Sequence, residues 1–346
     1  MTHHTLSPTG PTVPDFCLGT MTWGTQTPVA DAHHQIDMAL ERGLNFLDTA
    51  EMYPVNPISA DTLGRTEDII GQWNAKGARD RLIIATKVSG DGAGVIPGGA
   101  PPISAARLRS GVEASLKRLQ TDFIDIFQLH WPNRGSYHFR KNWTYTPPRD
   151  KARTRAHIAE VLTEAAALIA EGKIGRIALS NETAWGLAQW IAVAEAQDLP
   201  RVACVQNEYS LLCRLFDTDM AEASVMEDVP LLAFSPLATG LLTGKYAGGV
   251  IPEGSRREKS DTLGGRITPR VFETVSAYLG LARDWHIDPV HMALAWHRSR
   301  PFVSIPIIGA TTSKQLAHQL PAMDLALDPE LIAAIDACHR AHPLPY

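Results

Sequence analysis

Cysteine is scarce and scattered. The chain of 346 residues has four, Cys17, Cys204, Cys213 and Cys338, without CxxC spacing and far below the density of a disulfide-stapled secreted protein. The first twenty residues hold no Lys or Arg, no long apolar run and no small-residue cleavage pattern, so no signal peptide is expected. No uninterrupted apolar run reaches membrane-spanning length. These absences together point to a reducing cytoplasm. Basic stripes are missing too. The net charge of −5 arises from interspersed acids and bases, which argues against nucleic acid or an anionic membrane surface as a partner and leaves a small molecule. Nor does a linker divide the chain, because the Pro/Gly-rich stretches 90–102 and 247–265 read as long loops. One domain over 1–346 is expected.

What the sequence does contain is an alternation of short apolar runs with longer amphipathic ones, the pattern of βα units around a parallel sheet. The apolar runs fall at 16–18, 45–47, 82–86, 123–129, 174–179, 201–205, 231–234 and 303–308. Between them, Ile158, Val161, Leu162, Ala165, Leu168 and Ile169 form one helical stripe, and Ile103, Leu108, Val112, Leu116 and Leu119 another. Thr268-Pro269, Asp288-Pro289 and Asp328-Pro329 carry the cap-then-proline signature of a helix start, the last opening an extra C-terminal helix. Eight strands with helical crossovers suit a single α/β (β/α)8 TIM barrel with long loops on its C-terminal rim. A doubly wound open sheet of the Rossmann type shows the same alternation over part of the chain.

Nearly every predicted strand ends in polar residues after an apolar interior: Asp48, Lys87, His130, Ser180-Asn181, Gln206-Asn207 and Ser235. In a closed parallel barrel these ends converge on one rim, where such folds place their chemistry. Strand ends are also polar simply because they meet water. An acid, a lysine and a histidine closing three successive strands, with Tyr53 five residues after the acid, nevertheless make a set with a definite use. Hydride reduction of a carbonyl needs a proton delivered to oxygen, and a tyrosine of pKa about 10 releases its proton reluctantly near neutrality. Lys87 beside Tyr53 would stabilise the tyrosinate, Asp48 would aim the lysine, and His130 would orient the carbonyl oxygen. No metal is needed. Glu51 reads as solvated or as a loop anchor.

At this point the sequence resembles the aldo-keto reductase superfamily, through Gly43-Leu-Asn-Phe-Leu-Asp48-Thr-Ala-Glu-Met-Tyr53, Ile84-Ala-Thr-Lys87 and Asp125-Ile-Phe-Gln-Leu-His130-Trp131. The likeness continues in order through Gly172-Lys-Ile-Gly-Arg-Ile-Ala-Leu-Ser180-Asn181, Gln206-Asn-Glu-Tyr209, Phe234-Ser-Pro-Leu237, Leu242-Thr-Gly-Lys245-Tyr246 and Ile308-Gly-Ala-Thr311. Gly19-Thr-Met-Thr-Trp-Gly24, Ala50-Glu-Met-Tyr-Pro54 and Ser115-Leu-Lys-Arg-Leu-Gln-Thr-Asp122 are most similar to segments of bacterial Tas-like oxidoreductases. A more distant similarity is to potassium-channel β subunits.

The resemblance implies the barrel, NADPH/NADP+ as cofactor and hydride transfer to or from an aldehyde, ketone or alcohol. It implies Asp48, Tyr53, Lys87 and His130 as the catalytic tetrad. Ser180, Asn181 and Gln206 would hold the nicotinamide amide, with Tyr209 stacked nearby and Thr20, Met21 and Asp48 beside them. Ser235, Pro236, Leu237 and Lys245 would line the pyrophosphate path. Ser255 and Arg256 would grip the adenosine end, Arg256 favouring a 2′-phosphate. Gly309, Thr311, Gln315 and Gln319 would complete that end, although His318-Gln319 stands where the family has Glu-Asn.

Trp23, Trp131 and Trp143, with Tyr145, are expected as an aromatic substrate wall beside Tyr53 and His130, and the insert 132–150 as a loop covering the substrate. The run Gly90-Asp-Gly-Ala-Gly94 is a poor dinucleotide loop, since no helix follows it. His286, His291 and His297 are not spaced to share one helical face as metal ligands. Two other functions stay open: a cofactor-bound redox-sensing subunit with slow turnover, and a Rossmann-type dehydrogenase. Self-association is also open, because the helical faces of barrels serve monomers and rings alike.

Overall fold

The computed structural model describes residues 2–8, 10–91, 96 and 99–346. A short antiparallel hairpin comes first, β1 (His3–Thr5) with β2 (Thr12–Pro14). Eight parallel strands follow: β3 (Cys17–Gly19), β4 (Phe46–Asp48), β5 (Ile83–Val88), β6 (Ile124–Leu129), β7 (Ile174–Ser180), β8 (Val205–Glu208), β9 (Leu231–Phe234) and β10 (Ser304–Gly309). They close in sequence order, with β10 pairing with both β9 and β3. Closure gives the (β/α)8 barrel and removes the open sheet, and with it the Rossmann reading.

The helices lie outside. They are α1 (Val29–Glu41), α2 (Arg65–Asn74), α3 (Ala105–Leu119), α4 (Lys151–Ala170), α5 (Ala184–Ala196) and α6 (Asp219–Met226). Then come the one-turn α7 (Arg256–Lys259), α8 (Val271–Asp284), α9 (Pro289–Ala295), α10 (Ser313–Gln319) and the terminal α11 (Pro329–Ala341). Side-chain oxygens of Ser104, Asp150, Thr183 and Asp328 accept from backbone N–H groups in the first turns of α3, α4, α5 and α11, where those donors have no intrahelical partner. Among the described residues no helix is long and apolar enough to cross a membrane.

Side chains on a strand alternate between faces, and here the two faces have different chemistry. Leu18, Leu47, Ile84, Phe127, Ile177, Val205 and Leu231 point outward into a large core shared with the helices. Cys17, Phe46, Ala85, Ile126, Ala178, Cys204, Leu232 and Ile305 form a second, interior cluster with Leu6 and Val13. Leu6 and Val13 come from the hairpin segment, so the hairpin closes the barrel's floor with apolar groups. Strands of three residues each leave no period in the sequence that would mark this hairpin.

Three boundaries differ from expectation. The sixth barrel strand is 205–208 and not 201–205. Its register pairs Val205 with Leu179 and Gln206 with Ser180, so Gln206, Asn207 and Glu208 lie within the strand. Thr268-Pro269 does not open α8, which begins at Val271 with Arg270 at its N-cap; the Thr268 hydroxyl instead donates to the Pro345 carbonyl at 2.5 Å. Ile103 lies just before α3, since Ser104 takes the cap. Of the glycine run 90–94, residues 92–94 lie outside the described residues.

The floor yields a stability prediction. Leu6 is fully buried, and Leu6→Ala should lower unfolding stability by about 2–5 kcal/mol through lost transfer energy and a residual cavity. Urea denaturation measures this, and a change under about 0.5 kcal/mol would mean that the hairpin does not seal the barrel.

Candidate active site

Two residues beyond the apolar interior layer the strands point inward again, and on β4 to β8 that position is polar. Phe46 is followed by Asp48, Ala85 by Lys87, Ile126 by Gln128, Ala178 by Ser180 and Cys204 by Gln206. All five are almost fully buried. Lys87 Nζ donates to Asp48 Oδ2 at 2.6 Å and to the Thr49 carbonyl at 2.8 Å. Asp48 Oδ1 accepts from Gln206 Nε2 at 2.7 Å and from Gln128 Nε2 at 3.0 Å, and Gln206 Nε2 lies 3.2 Å from Gln128 Oε1. Thr20 donates to the Asp48 carbonyl from both N and Oγ1. The carboxylate is therefore fixed by three side chains and its backbone by a fourth.

Gln128 is not legible as a polar strand end because it sits inside the apolar run 123–129. The signal was the two-residue period, which places 128 on the same inward line as 126 and 130.

Above this layer, Lys87 Nζ lies 5.0 Å from the Tyr53 ring centroid. The Tyr53 and His130 rings meet edge to face at 6.1 Å. Burial raises the Tyr53 phenol above its ordinary range, Lys87 pulling it back and Asp48 adding to the rise. The net direction is opposite to the lowering expected from Lys87 alone. Burial works against the Lys87 ammonium, but Asp48 and then Tyr53 outweigh it, so Lys87 is held charged. Burial, followed by the Lys87 charge, drives His130 well below the usual imidazole range. His130 is thus a neutral imidazole beside an ammonium. Its Nδ1 is 3.4 Å from Ser89 Oγ. Glu51 is an anchor: it accepts from the Ser89 N–H at 2.6 Å and pairs with Arg107.

Around the rim from β7 to β10, several enclosed polar atoms have no partner among the described residues: Asn181 Oδ1, Tyr246 OH, Ser255 Oγ, Arg256 Nε and Gln319 Oε1. Asn181 has φ +55, and its Nδ2 donates to the His130 carbonyl, which leaves the oxygen free. Ser180 Oγ donates to the Gln206 carbonyl at 2.9 Å. Past β9, Ser235, Ala238 and Thr239 have φ of +56, +47 and +58, a strained run of non-glycine residues with Pro236 and Leu237 inside it. Lys245 is exposed, 5.1 Å from the Tyr246 ring. At the end of β10, Gln315 Oε1 accepts from Thr311 N and Oγ1, and Gln319 Nε2 donates to the Gly309 carbonyl.

Arg256 has no carboxylate of its own. Burial and the nearby Arg266 push its guanidinium down to about 10. Glu208, at the end of β8, accepts instead from Arg266 at 2.7 Å and from Arg140 at 2.7 Å, with the Tyr346 hydroxyl 3.4 Å away. One buried carboxylate therefore joins the insert 132–150 to the loop before α8.

Two expectations fail in detail. Tyr209 is fully buried, stacked on Trp296 at 5.1 Å, and its hydroxyl is bonded to Asp217, so no ring face is left for a ligand. The aromatic wall is divided. Trp131 packs against His130 at 4.8 Å and Met21 lies in the same small cluster as Tyr53, but Trp23 is enclosed in the outer core. Trp143 is 86% exposed and lines, with Tyr145 and Trp185, a hollow of about 740 Å³ on the flank of the insert. The insert's charged residues bond to buried carboxylates at the rim ends of β7 and β8, Arg134 to Glu182 and Arg140 to Glu208.

The pKa directions predict a titration result. His130 should show no NMR-detected midpoint between pH 6 and pH 8, because its proton is taken up only well below 6.5; a midpoint near 6.5 would place it in solvent.

Comparison with known proteins agrees with this geometry. The family model described as "Aldo/keto reductase family" matches residues 15–340. The chain is 41% identical over 355 residues to "Protein tas" of Escherichia coli (strain K12), covering 100% of this chain and 99% of that one. It is 31% identical to the "Uncharacterized oxidoreductase YrpG" of Bacillus subtilis (strain 168), over 96% of this chain and 94% of the other. To a "Probable voltage-gated potassium channel subunit beta" of Arabidopsis thaliana the identity is 28%, covering 93% and 92%. The closed barrel, the inward polar layer and these matches place the chain in the aldo/keto reductase family.

Proposed function

We propose that the chain is an NADPH-dependent oxidoreductase that interconverts a carbonyl compound, aldehyde or ketone, and its alcohol. The observation that carries this reading is the buried ammonium of Lys87, held by Asp48 beneath Tyr53, with neutral His130 on the other side of the phenol. When bound, the nicotinamide cofactor would supply or accept the hydride. Tyr53 gives its proton to the substrate oxygen, and Lys87 stabilises the phenolate that forms. Asp48, bracketed by Gln128 and Gln206, keeps the ammonium aimed. His130 donates a hydrogen bond to the same oxygen without adding a second charge.

The unpartnered groups on the rim suit a dinucleotide. Asn181 Oδ1, with Ser180 and Gln206 around it, fits the donor end of a carboxamide. The strained run at Ser235, Pro236 and Leu237 and the free ammonium of Lys245 fit a pyrophosphate. Arg256, a guanidinium without a carboxylate, and the enclosed Ser255 Oγ fit a further phosphate. Gln319 Oε1 offers an acceptor to an adenine amine, with Gly309, Thr311 and Gln315 beside it. His318 takes no part there, since its Nε2 is bonded to Asp288. Compartment follows the same reading: four unpaired cysteines suit a reducing cytoplasm.

Two experiments test the proposal. NADPH oxidation over a panel of aromatic aldehydes, ketones and sugars should show turnover that drops by roughly 100-fold or more in Tyr53→Phe, with NADPH binding retained. Because the Tyr53 pKa is raised, the proton is present throughout neutrality, and the reduction rate should fall only as pH rises past about 10. Tight NADPH binding without turnover on any carbonyl would overturn the enzyme reading in favour of a sensing subunit. Second, Arg256→Gln should weaken NADPH binding by roughly tenfold or more while leaving NADH within about twofold. An equal loss for both would assign Arg256 to the shared pyrophosphate.

A further inference from the structure

Of the three histidines near the end of the barrel, His297 is buried with its Nδ1 2.8 Å from Ser304 Oγ, and His286 follows α8. His291 is different, because the fold brings it to a residue 27 positions away. The rings of His291, on α9, and His318, on α10, lie 5.3 Å apart, and Asp288 stands between the two helices as the N-cap of α9. Asp288 Oδ1 accepts the α9 N–H groups of Val290 and His291. Oδ2 is left facing His318 Nε2 at 2.8 Å. His291 Nε2 lies 2.6 Å from the His318 carbonyl.

We propose that Asp288, His291 and His318 form a binding site for a divalent transition-metal ion of the zinc class. One ligand atom from each lies within 4.8 Å of the others. Bonds of about 2.0–2.2 Å to a common ion require the three to close slightly, which partly exposed side chains accomplish by rotation. Two imidazoles and one carboxylate suit Zn2+, Co2+ or Ni2+, whereas Mg2+ and Ca2+ prefer all-oxygen sets. On binding, the ion takes the place of the Nε2 proton that faces Asp288, that proton passes through solvent to Nδ1 of the same ring, and the imidazole ligates as a neutral tautomer. An imidazole nitrogen of His291 becomes the third ligand and water completes a tetrahedron. The capping role of Asp288 Oδ1 is untouched, so the site forms without unwinding α9.

The ion would pin the end of α10 to the start of α9, one residue from Gln319 and its bond to the Gly309 carbonyl. The ligands come from short helices packed side by side, and none belongs to the tetrad.

The test uses the full chain without a polyhistidine tag, stripped with chelator and free of nicotinamide cofactor, so that its outcome does not depend on the oxidoreductase reading. Calorimetric titration with ZnCl2 should give one equivalent per chain, and Co2+ should produce the visible absorption of a tetrahedral N/O site. His291→Gln, His318→Gln and Asp288→Asn should each weaken zinc binding by roughly tenfold or more. Asparagine retains the helix cap, so Asp288→Asn separates loss of a ligand from loss of fold, with circular dichroism as the check. A paired His33→Gln/His34→Gln variant should bind as the parent does. No one-equivalent event, or unchanged affinity in all three site variants, overturns the proposal.

Discussion

A carboxylate and an ammonium enclosed together in the middle of a barrel determine most of what surrounds them. Removing such ions from water costs on the order of several kcal/mol each, and mutual attraction offsets this only when the remaining lone pairs and protons are also satisfied. Asp48 and Lys87 meet that condition through Gln128, Gln206 and the Thr49 carbonyl. The two amides are neutral, so the layer stays close to charge balance. The same ammonium depresses His130 and moderates Tyr53. Burial sets the direction for both groups that face the mouth, and the ion pair modulates it.

The barrel carries this pair because its strands change chemistry along their length. On β4 to β8 the inward line is apolar towards the floor, sealed by Leu6 and Val13, and becomes polar one step higher, whereas β9 and β10 stay apolar there with Phe234 and Ile307. A polar residue at the floor would have lacked partners, and an apolar one at the second step would have left Asp48 short of donors. The outward line is mainly apolar because the helices cover it, and its polar members Thr86, Asp125 and Asn207 are bonded to Glu67, Arg79 and the Glu182 backbone. Fold and site are specified by the same residues, taken two apart.

Much of this was legible in the sequence because both periods were clean. Apolar runs with intervening helical stripes sufficed for the eight strands, and polar strand ends sufficed for Asp48, Lys87 and His130. What escaped depended on partners distant in sequence. Gln128 was hidden inside an apolar run whose inward phase is visible only once the register is known. The opening hairpin is too short to show a period of its own. Tyr209 matched a motif, but Trp296 and Asp217 occupy it. Trp143 was expected in the substrate wall, yet its side chain stands exposed beside Tyr145 and Trp185. The association of Asp288 with His291 and His318 arises from the packing of two helices that no single-window spacing reveals.

Glu208 carries an implication for how the mouth moves. Its carboxylate takes Arg140 of the insert on Oε2 and Arg266 of the loop before α8 on Oε1, so when one loop swings aside the other keeps a matched pair and the departing arm carries the unpaired guanidinium. The two loops on that side share one anchor but hold different oxygens of it. Either arm can part from the carboxylate while the other stays moored.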